Sequence, residues 1–251
     1  MGALRDLTGK VAWITGAGTG IGQAGALSLA EAGMQVILSG RRADKLDETA
    51  AMIRDVGGKP VIEELDIVDA DQVASVAGRI SETFGRLDVA VFSAGINIRE
   101  RAWDKVGPEG WKSVVEADLN GAFYCCHSVL PMMRTQRQGL IINVASWAGV
   151  RPSKLSGPAY SAAKHGMVAM NESLNMEEAK NGIRATALCP GEVATPILEN
   201  RPVKLSDAEK AAMLQSEDLG ETILFLAQLD PRVCVNQMII SPTANRAYLA
   251  S

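Results

Sequence analysis

A doubly wound parallel α/β sheet is the fold the sequence predicts, and three observations predict it. Short runs that are apolar throughout alternate with amphipathic stretches of helical period along the chain. The first apolar run ends in a glycine-rich turn, and no linker, repeat or low-complexity stretch breaks the alternation. Strands that are apolar on both faces need helices over both, and right-handed crossovers then give an open sheet wound in two directions. The 251 residues are expected to form one domain, 1–251.

The elements follow in order. Val11 to Thr15 is a strand, and the helix after its turn runs from about Gly20 to Ala32, where Gly33 stops it. Met34–Ser39 is a second buried strand. Asp44 to Val56 reads as a helix closed by Gly57-Gly58, and Pro60–Leu65 as a strand. Helix 69–84, strand 87–92, helix 109–137 and strand 140–145 come next. Helix 158–180, strand 183–188, helical segments within 196–228 and a last strand near 234–240 complete the series.

A composition of 47% hydrophobic and 22% charged residues excludes a disordered or fibrous chain. No uncharged apolar run reaches the roughly 18 residues of a membrane span. Met1 to Lys10 carries Arg5, Asp6 and Lys10 and lacks the apolar core of a signal peptide, so a cytoplasmic protein without a membrane partner is expected. Lys plus Arg number 25 against 29 for Asp plus Glu, a net charge of −4, which weighs against nucleic acid as a partner. Cys125, Cys126, Cys189 and Cys234 contain no C-x-x-C pair and read as buried reduced thiols. Consecutive side chains at Cys125-Cys126-His127 point in different directions, so no metal is expected.

In a doubly wound sheet, ligands sit at the carboxyl ends of the strands, where the strand order reverses. The first such end is Thr15-Gly16-Ala17-Gly18-Thr19-Gly20-Ile21-Gly22. Glycines let this backbone turn tightly and approach a ligand, and the following helix offers unpaired N–H groups to a pyrophosphate. Placed between a strand and a helix, the motif points to a dinucleotide and a Rossmann-type sheet. The second strand ends Ser39-Gly40-Arg41-Arg42, without the carboxylate that bonds the ribose hydroxyls of NAD. Two guanidiniums suit a 2′-phosphate, which favours NADP(H) over NAD(H); Asp44 nearby is a candidate helix cap or competing acceptor. Asp66, in Leu65-Asp66-Ile67, can accept from the adenine amino group or cap the next helix. Ala94-Gly95 after the fourth strand permits close approach to a flat ligand.

Tyr160 and Lys164 lie four apart on one helix face. A free phenol titrates near 10, and a neighbouring ammonium favours the phenolate and draws that value toward neutrality. Ser146, directly after the strand 140–145, stands at the same sheet edge and can polarise a substrate oxygen.

With these motifs and Pro190-Gly191-Glu192-Val193-Ala194-Thr195, the chain resembles the classical short-chain dehydrogenase/reductases over nearly its whole length. The resemblance implies hydride transfer between NAD(P) and a carbonyl or secondary alcohol. Tyr160 would be the general acid/base, Lys164 would bond the nicotinamide ribose and tune Tyr160, and Ser146 would hold the reacting oxygen. Gly16, Thr19, Gly20, Ile21, Gly22, Arg41, Arg42, Asp66, Ile67, Ala94, Gly95, Pro190, Gly191, Val193 and Thr195 would line the dinucleotide. The carboxamide would meet Val193 (through its backbone) and Thr195. Family members usually form tetramers through the long helices, here 109–137 and 158–180, so a homotetramer (or homodimer) is expected.

The chain departs from the family twice. Phe92-Ser93-Ala94-Gly95 lacks the two asparagines of N-N-A-G. In the helix motif N-L-x-G, alignment on Gly121 and Phe123 puts Asp118, not Asn120, at the asparagine; an offset helix would substitute Asn120. The family asparagine acts largely through a backbone carbonyl that holds a water on the proton path, which an aspartate retains.

Specificity is expected from Asn97, Arg99 and Arg101, from Trp147, Arg151 and Lys154, and from the segment 194–215 with Ile197, Leu198 and Arg201. The basic residues suit an anionic substrate such as a carboxylate, or else coat loop surfaces. The reading is an NADP(H)-dependent oxidoreductase acting on a small carbonyl or alcohol. A catalytically silent NADP(H)-binding sensor or scaffold is the alternative. A serine hydrolase lacks its G-x-S-x-G.

Overall fold

The computed structural model describes residues 4–245, so the two ends of the expected 1–251 domain lie outside the described residues. Seven strands, β1 (Val11–Thr15), β2 (Gln35–Gly40), β3 (Val61–Glu64), β4 (Val89–Phe92), β5 (Gly139–Val144), β6 (Ile183–Pro190) and β7 (Gln237–Ile240), form one sheet. Their order is β3-β2-β1-β4-β5-β6-β7, and every pairing is parallel. The chain winds outward one way from β1 and the other way from β4, so the reversal lies between these two strands. The fold is the predicted doubly wound, Rossmann-like single domain.

Alternation along the central strands feeds two cores. Ala12 and Ile14 of β1 join the core beneath α1 (Gly20–Glu31), α2 (Ala43–Asp55) and α8 (Ser216–Gln228). Val11 and Trp13 join the opposite core, beneath α3 (Ala70–Phe84), α5 (Gly121–Gln136) and α6 (Pro158–Glu178). Phe92, where the family carries an asparagine, is 2% exposed and meets Trp13 edge-on at 5.7 Å.

Several boundaries differ from the sequence expectation. The segment expected as one helix at 109–137 is α4 (Pro108–Val115), a π-helical turn over Glu116–Asn120, and α5. The wider turn carries Asp118, which is fully buried and accepts from the Ile96 amide at 2.7 Å, a long-range bond that helical periodicity does not encode. Arg42 occupies the N-cap position of α2 and Asp44 its first turn. Asp69, rather than Asp66, caps α3, accepting from the Asp71 and Gln72 amides. The helical stretch 196–228 resolves into a 3-10 segment (Pro196–Asn200), α7 (Asp207–Ala211) and α8. The edge strand β7 starts at Gln237, which leaves Cys234 exposed instead of buried. Cys125, Cys126 and Cys189 are buried, and burial pushes the Cys126 thiol up to about 12. Among the described residues no helix is long and apolar enough to cross a membrane.

Candidate active site

The glycine turn is shaped by contacts that only glycine tolerates. Gly16 adopts φ +67°, and a Cβ there would stand 2.8 Å from the Ala94 amide nitrogen. Gly22 packs against the Gly16 carbonyl, where a Cβ has no room, and faces the interior. Thr19 precedes α1 in extended conformation without a side-chain cap, and the first turn of α1 carries no acidic residue. Its amides therefore keep their capacity for an anion. The turn is braced from below by Thr49, which is fully buried, donates to the Ala17 carbonyl at 3.0 Å and accepts from Gln23 at 2.9 Å. Sequence reasoning missed this brace, because a threonine inside a helix carries no motif.

One cleft of about 620 Å³ runs along the carboxyl edge of the sheet from this turn to Tyr160. Gly16, Thr19, Gly20, Ile21, Arg41, Arg42, Asp66, Ile67, Ala94, Gly95, Ser146, Tyr160, Lys164, Pro190, Gly191, Val193 and Thr195 all line it; Gly22 and Asp118 do not. Lys45 lines it too, beside Gly18, and was not singled out from the sequence. Arg42 donates to the Thr19 hydroxyl at 3.3 Å, so one guanidinium lies against the phosphate turn. Arg41 stands 3.9 Å from Asp66 in a well-exposed pair that contributes little on its own. The residues fit a dinucleotide: the glycine cradle admits backbone-close approach, and cations flank the end of β2.

At the other end of the cleft, Gly157 starts α6 at φ +75°, pressed against the Arg101 backbone, with Pro158 in the first helical turn. This sets Tyr160 and Lys164 facing the end of β5. Lys164 is 3% exposed, and its Nζ donates to the Val144 carbonyl at 3.1 Å. The same Nζ lies 3.7 Å from Asp118 Oδ2 and 5.5 Å from the Tyr160 ring centroid. Asn120 turns elsewhere, donating to Glu116 at 2.9 Å, so the neighbour of the lysine is Asp118. Gly95 leaves space for the pair: a Cβ there would stand 3.2 Å from Asp118 Oδ1 and 3.3 Å from Lys164 Nζ. The Ser146 hydroxyl accepts from the Ala148 amide at 3.1 Å, which leaves its O–H to donate into the cleft.

Electrostatically the site differs from the simplest expectation. Burial pushes the Tyr160 phenol above its ordinary value; Lys164, a hydrogen bond with Ser146 and Arg101 pull it down, while Asp118 pushes it up. The ammonium acts in the expected direction, but desolvation of the phenolate outweighs it. Burial likewise pushes the Asp118 carboxyl up, against the pull of Lys164 and the Ile96 amide. Beneath the site, Asn143 of β5 donates to Asn171 of α6 at 3.1 Å, and Asn171 in turn donates to the Ala185 and Asn236 carbonyls. This buried network ties α6 to the sheet, and no sequence signal announces it.

The basic loop residues divide. Arg99, Arg151 and Lys154 are exposed, with Arg151 over the Trp147 ring at 5.9 Å, whereas Arg101 and Arg201 are buried.

Comparison with known proteins agrees with this architecture. The short chain dehydrogenase family matches residues 10–205. An uncharacterized oxidoreductase of Staphylococcus saprophyticus is 34% identical over 240 residues, covering 94% of this chain and 99% of its own. One of Staphylococcus aureus is 34% identical over 236 residues, covering 94% and 98%. Among solved structures, levodione reductase superposes with a TM-score of 0.88 at 28% identity, over 96% of this chain and 99% of its own. A metagenomic short-chain oxidoreductase in complex with NADP gives 0.82 at 26% identity, over 95% and 99%. With the phosphate turn, the Ser146–Tyr160–Lys164 cluster and this match over most of its length, the chain belongs to the short-chain dehydrogenase family of NAD(P)-dependent oxidoreductases.

Proposed function

We propose that the protein is an NADP(H)-dependent carbonyl reductase whose proton carrier is Tyr160. The observation that carries this reading is the convergence of Ser146, Tyr160 and Lys164 at one end of a cleft whose other end is the glycine turn. Reduction delivers a hydride to the carbonyl carbon; the π pair of the C=O bond then takes the Tyr160 hydroxyl proton and becomes the new O–H bond. NADPH, when bound, supplies the hydride and leaves as NADP⁺. Ser146, with its lone pair engaged by the Ala148 amide, donates a hydrogen bond to the same oxygen, keeping its proton, and stabilises the charge that develops there. Lys164, anchored on Val144 and beside Asp118, favours the phenolate left after proton transfer, which takes its next proton from solvent. Burial, which pushes the Tyr160 phenol up, favours its protonated form, the form that acts as the acid in carbonyl reduction.

NADPH is favoured over NADH by Arg41 and Arg42, which line the cleft where β2 ends in Ser39-Gly40 without an acidic residue of its own. Asp66, beside Arg41, is assigned to the adenine amino group, and Val193 and Thr195 to the carboxamide. The segment 194–215, with the loops at 96–101 and 147–156, is assigned to the substrate. Assembly through α5 and α6 accounts for Phe123 and Met176, which are 50% and 78% exposed.

The test is NADPH oxidation across a panel of ketones and aldehydes, with the wild type and Tyr160→Phe. The variant is expected to lose about 10²–10⁴-fold in turnover while NADPH binding persists. Full turnover in the variant would refute the role of Tyr160. Silence of the wild type across the panel would leave a nucleotide-binding protein without this reaction.

A further inference from the structure

We infer that the substrate of this reductase carries a carboxylate, bound at the cleft by Arg101 and Arg201. The inference rests on the proposed reaction and names the class of carbonyl compound it serves: an oxo acid, reduced to the hydroxy acid.

Both arginines line the cleft, and they are 8% and 9% exposed. Arg101 donates from Nη1 to the Leu155 carbonyl at 3.4 Å and from Nη2 to the Asn200 carbonyl, but its Nε has no acceptor. Arg201 pairs through Nη2 with Glu192 at 2.7 Å, and its Nη1 has no acceptor. Among the described residues no carboxylate pairs with Arg101. Guanidiniums do not shed their charge, and a buried cation without a counter-charge is strongly disfavoured. Burial and the like charge of Arg201 both pull the Arg101 value down, and Tyr160 pulls it up, which places Arg101 within electrostatic reach of the proton carrier. Two N–H donors left over on two guanidiniums that line one cleft match the two oxygens of a carboxylate.

The donors are held in place before any ligand arrives. Arg101 bridges the loops at Leu155 and Asn200, Asn97 donates to the Ser156 carbonyl at 3.0 Å, and Gly157 packs on the Arg101 backbone. Such preorganisation lowers the ordering cost of binding. The exposed Arg99, Arg151 and Lys154 do not line the cleft and take no part.

The experiment pairs 2-, 3-, 4- and 5-oxo acids with their methyl esters in the NADPH assay. For at least one pair, kcat/KM of the acid is expected to exceed that of the ester by about 10–100-fold, the worth of a charge-assisted hydrogen-bond pair. Arg101→Gln is expected to erase this ratio, chiefly through KM, and Arg101→Lys to restore part of it. Because Arg101 also ties two loops, a second measurement uses the wild type alone. Saturated carboxylates of matching length are expected to raise the melting temperature of the NADPH-loaded protein, while their amides and inorganic phosphate are not. Reduction of neutral ketones with no preference for acids and no carboxylate effect on melting would overturn the inference and leave the reductase standing. Stabilisation by phosphate in place of carboxylates would also overturn it. Stabilisation by carboxylates without turnover of any carbonyl would uphold the anion site and sink the reductase.

Discussion

Lys164 and Asp118 form a buried pair, Nζ to Oδ2 3.7 Å apart, at 3% and 0% exposure. The carboxylate is held by the Ile96 amide and the ammonium by the Val144 carbonyl, so neither depends on the other alone for its position. Where the family places a neutral asparagine, this chain places an acidic side chain beside the lysine.

The pair makes Asp118→Asn informative. Asparagine keeps an acceptor for Ile96, so the fold is expected to persist. Asp118 pushes the Tyr160 phenol up, and its neutralisation moves that value down. Carbonyl reduction needs the protonated phenol and fails as pH rises through its pKa. The alkaline limb of the kcat profile should therefore move toward lower pH in the variant, while the NADPH dissociation constant stays close to wild type. An unmoved limb would show that Asp118 does not act on the proton carrier.

Cofactor choice is open to a double substitution. Replacing both Arg41 and Arg42 with alanine should raise KM for NADPH about 10–100-fold, the scale of lost charge-assisted bonds to a phosphate. KM for NADH should change little, and the NADPH effect should weaken with salt in the wild type. Equal losses for both cofactors would point to damage of the turn, where Arg42 meets Thr19, rather than to phosphate recognition.

Acid stability should report on Glu178. Arg134 grips its carboxylate at 2.5 and 3.0 Å, Asn181 adds a bond at 2.8 Å, and its value is held at about 2. A depressed carboxylate contributes stability above its unfolded value, and the contribution disappears as pH falls through the folded one. Glu178→Gln should thus melt lower than wild type at pH 7 by about 2–4 °C, with exposure of the Arg134 side chain limiting the effect. The gap should close steadily from pH 4.5 toward pH 2. A gap that persists at pH 2.5 would assign the loss to packing instead of charge.

Much of this molecule was legible in the order of its residues. Uninterrupted apolar runs such as Val11–Ile14 and Val89–Phe92 require cover on both faces, and that requirement alone implies a parallel sheet. The strand–glycine–helix junction and the four-residue spacing of Tyr160 and Lys164 are local, so their chemistry could be read from local rules. Asp118 could be aligned but not understood: its meaning comes from Ile96 and Lys164, distant in sequence and adjacent only after folding. The same holds for the π turn over Glu116–Asn120, the Asn143–Asn171 link and the brace at Thr49. Among the loop cations, sequence treated Arg99, Arg101, Arg151, Lys154 and Arg201 alike. Only tertiary structure separated the two that are withdrawn from water, because burial is a property of the packed surroundings and not of the side chain. Local pattern therefore determined the sheet and the reaction class, and long-range packing decided the electrostatic setting in which Tyr160 works.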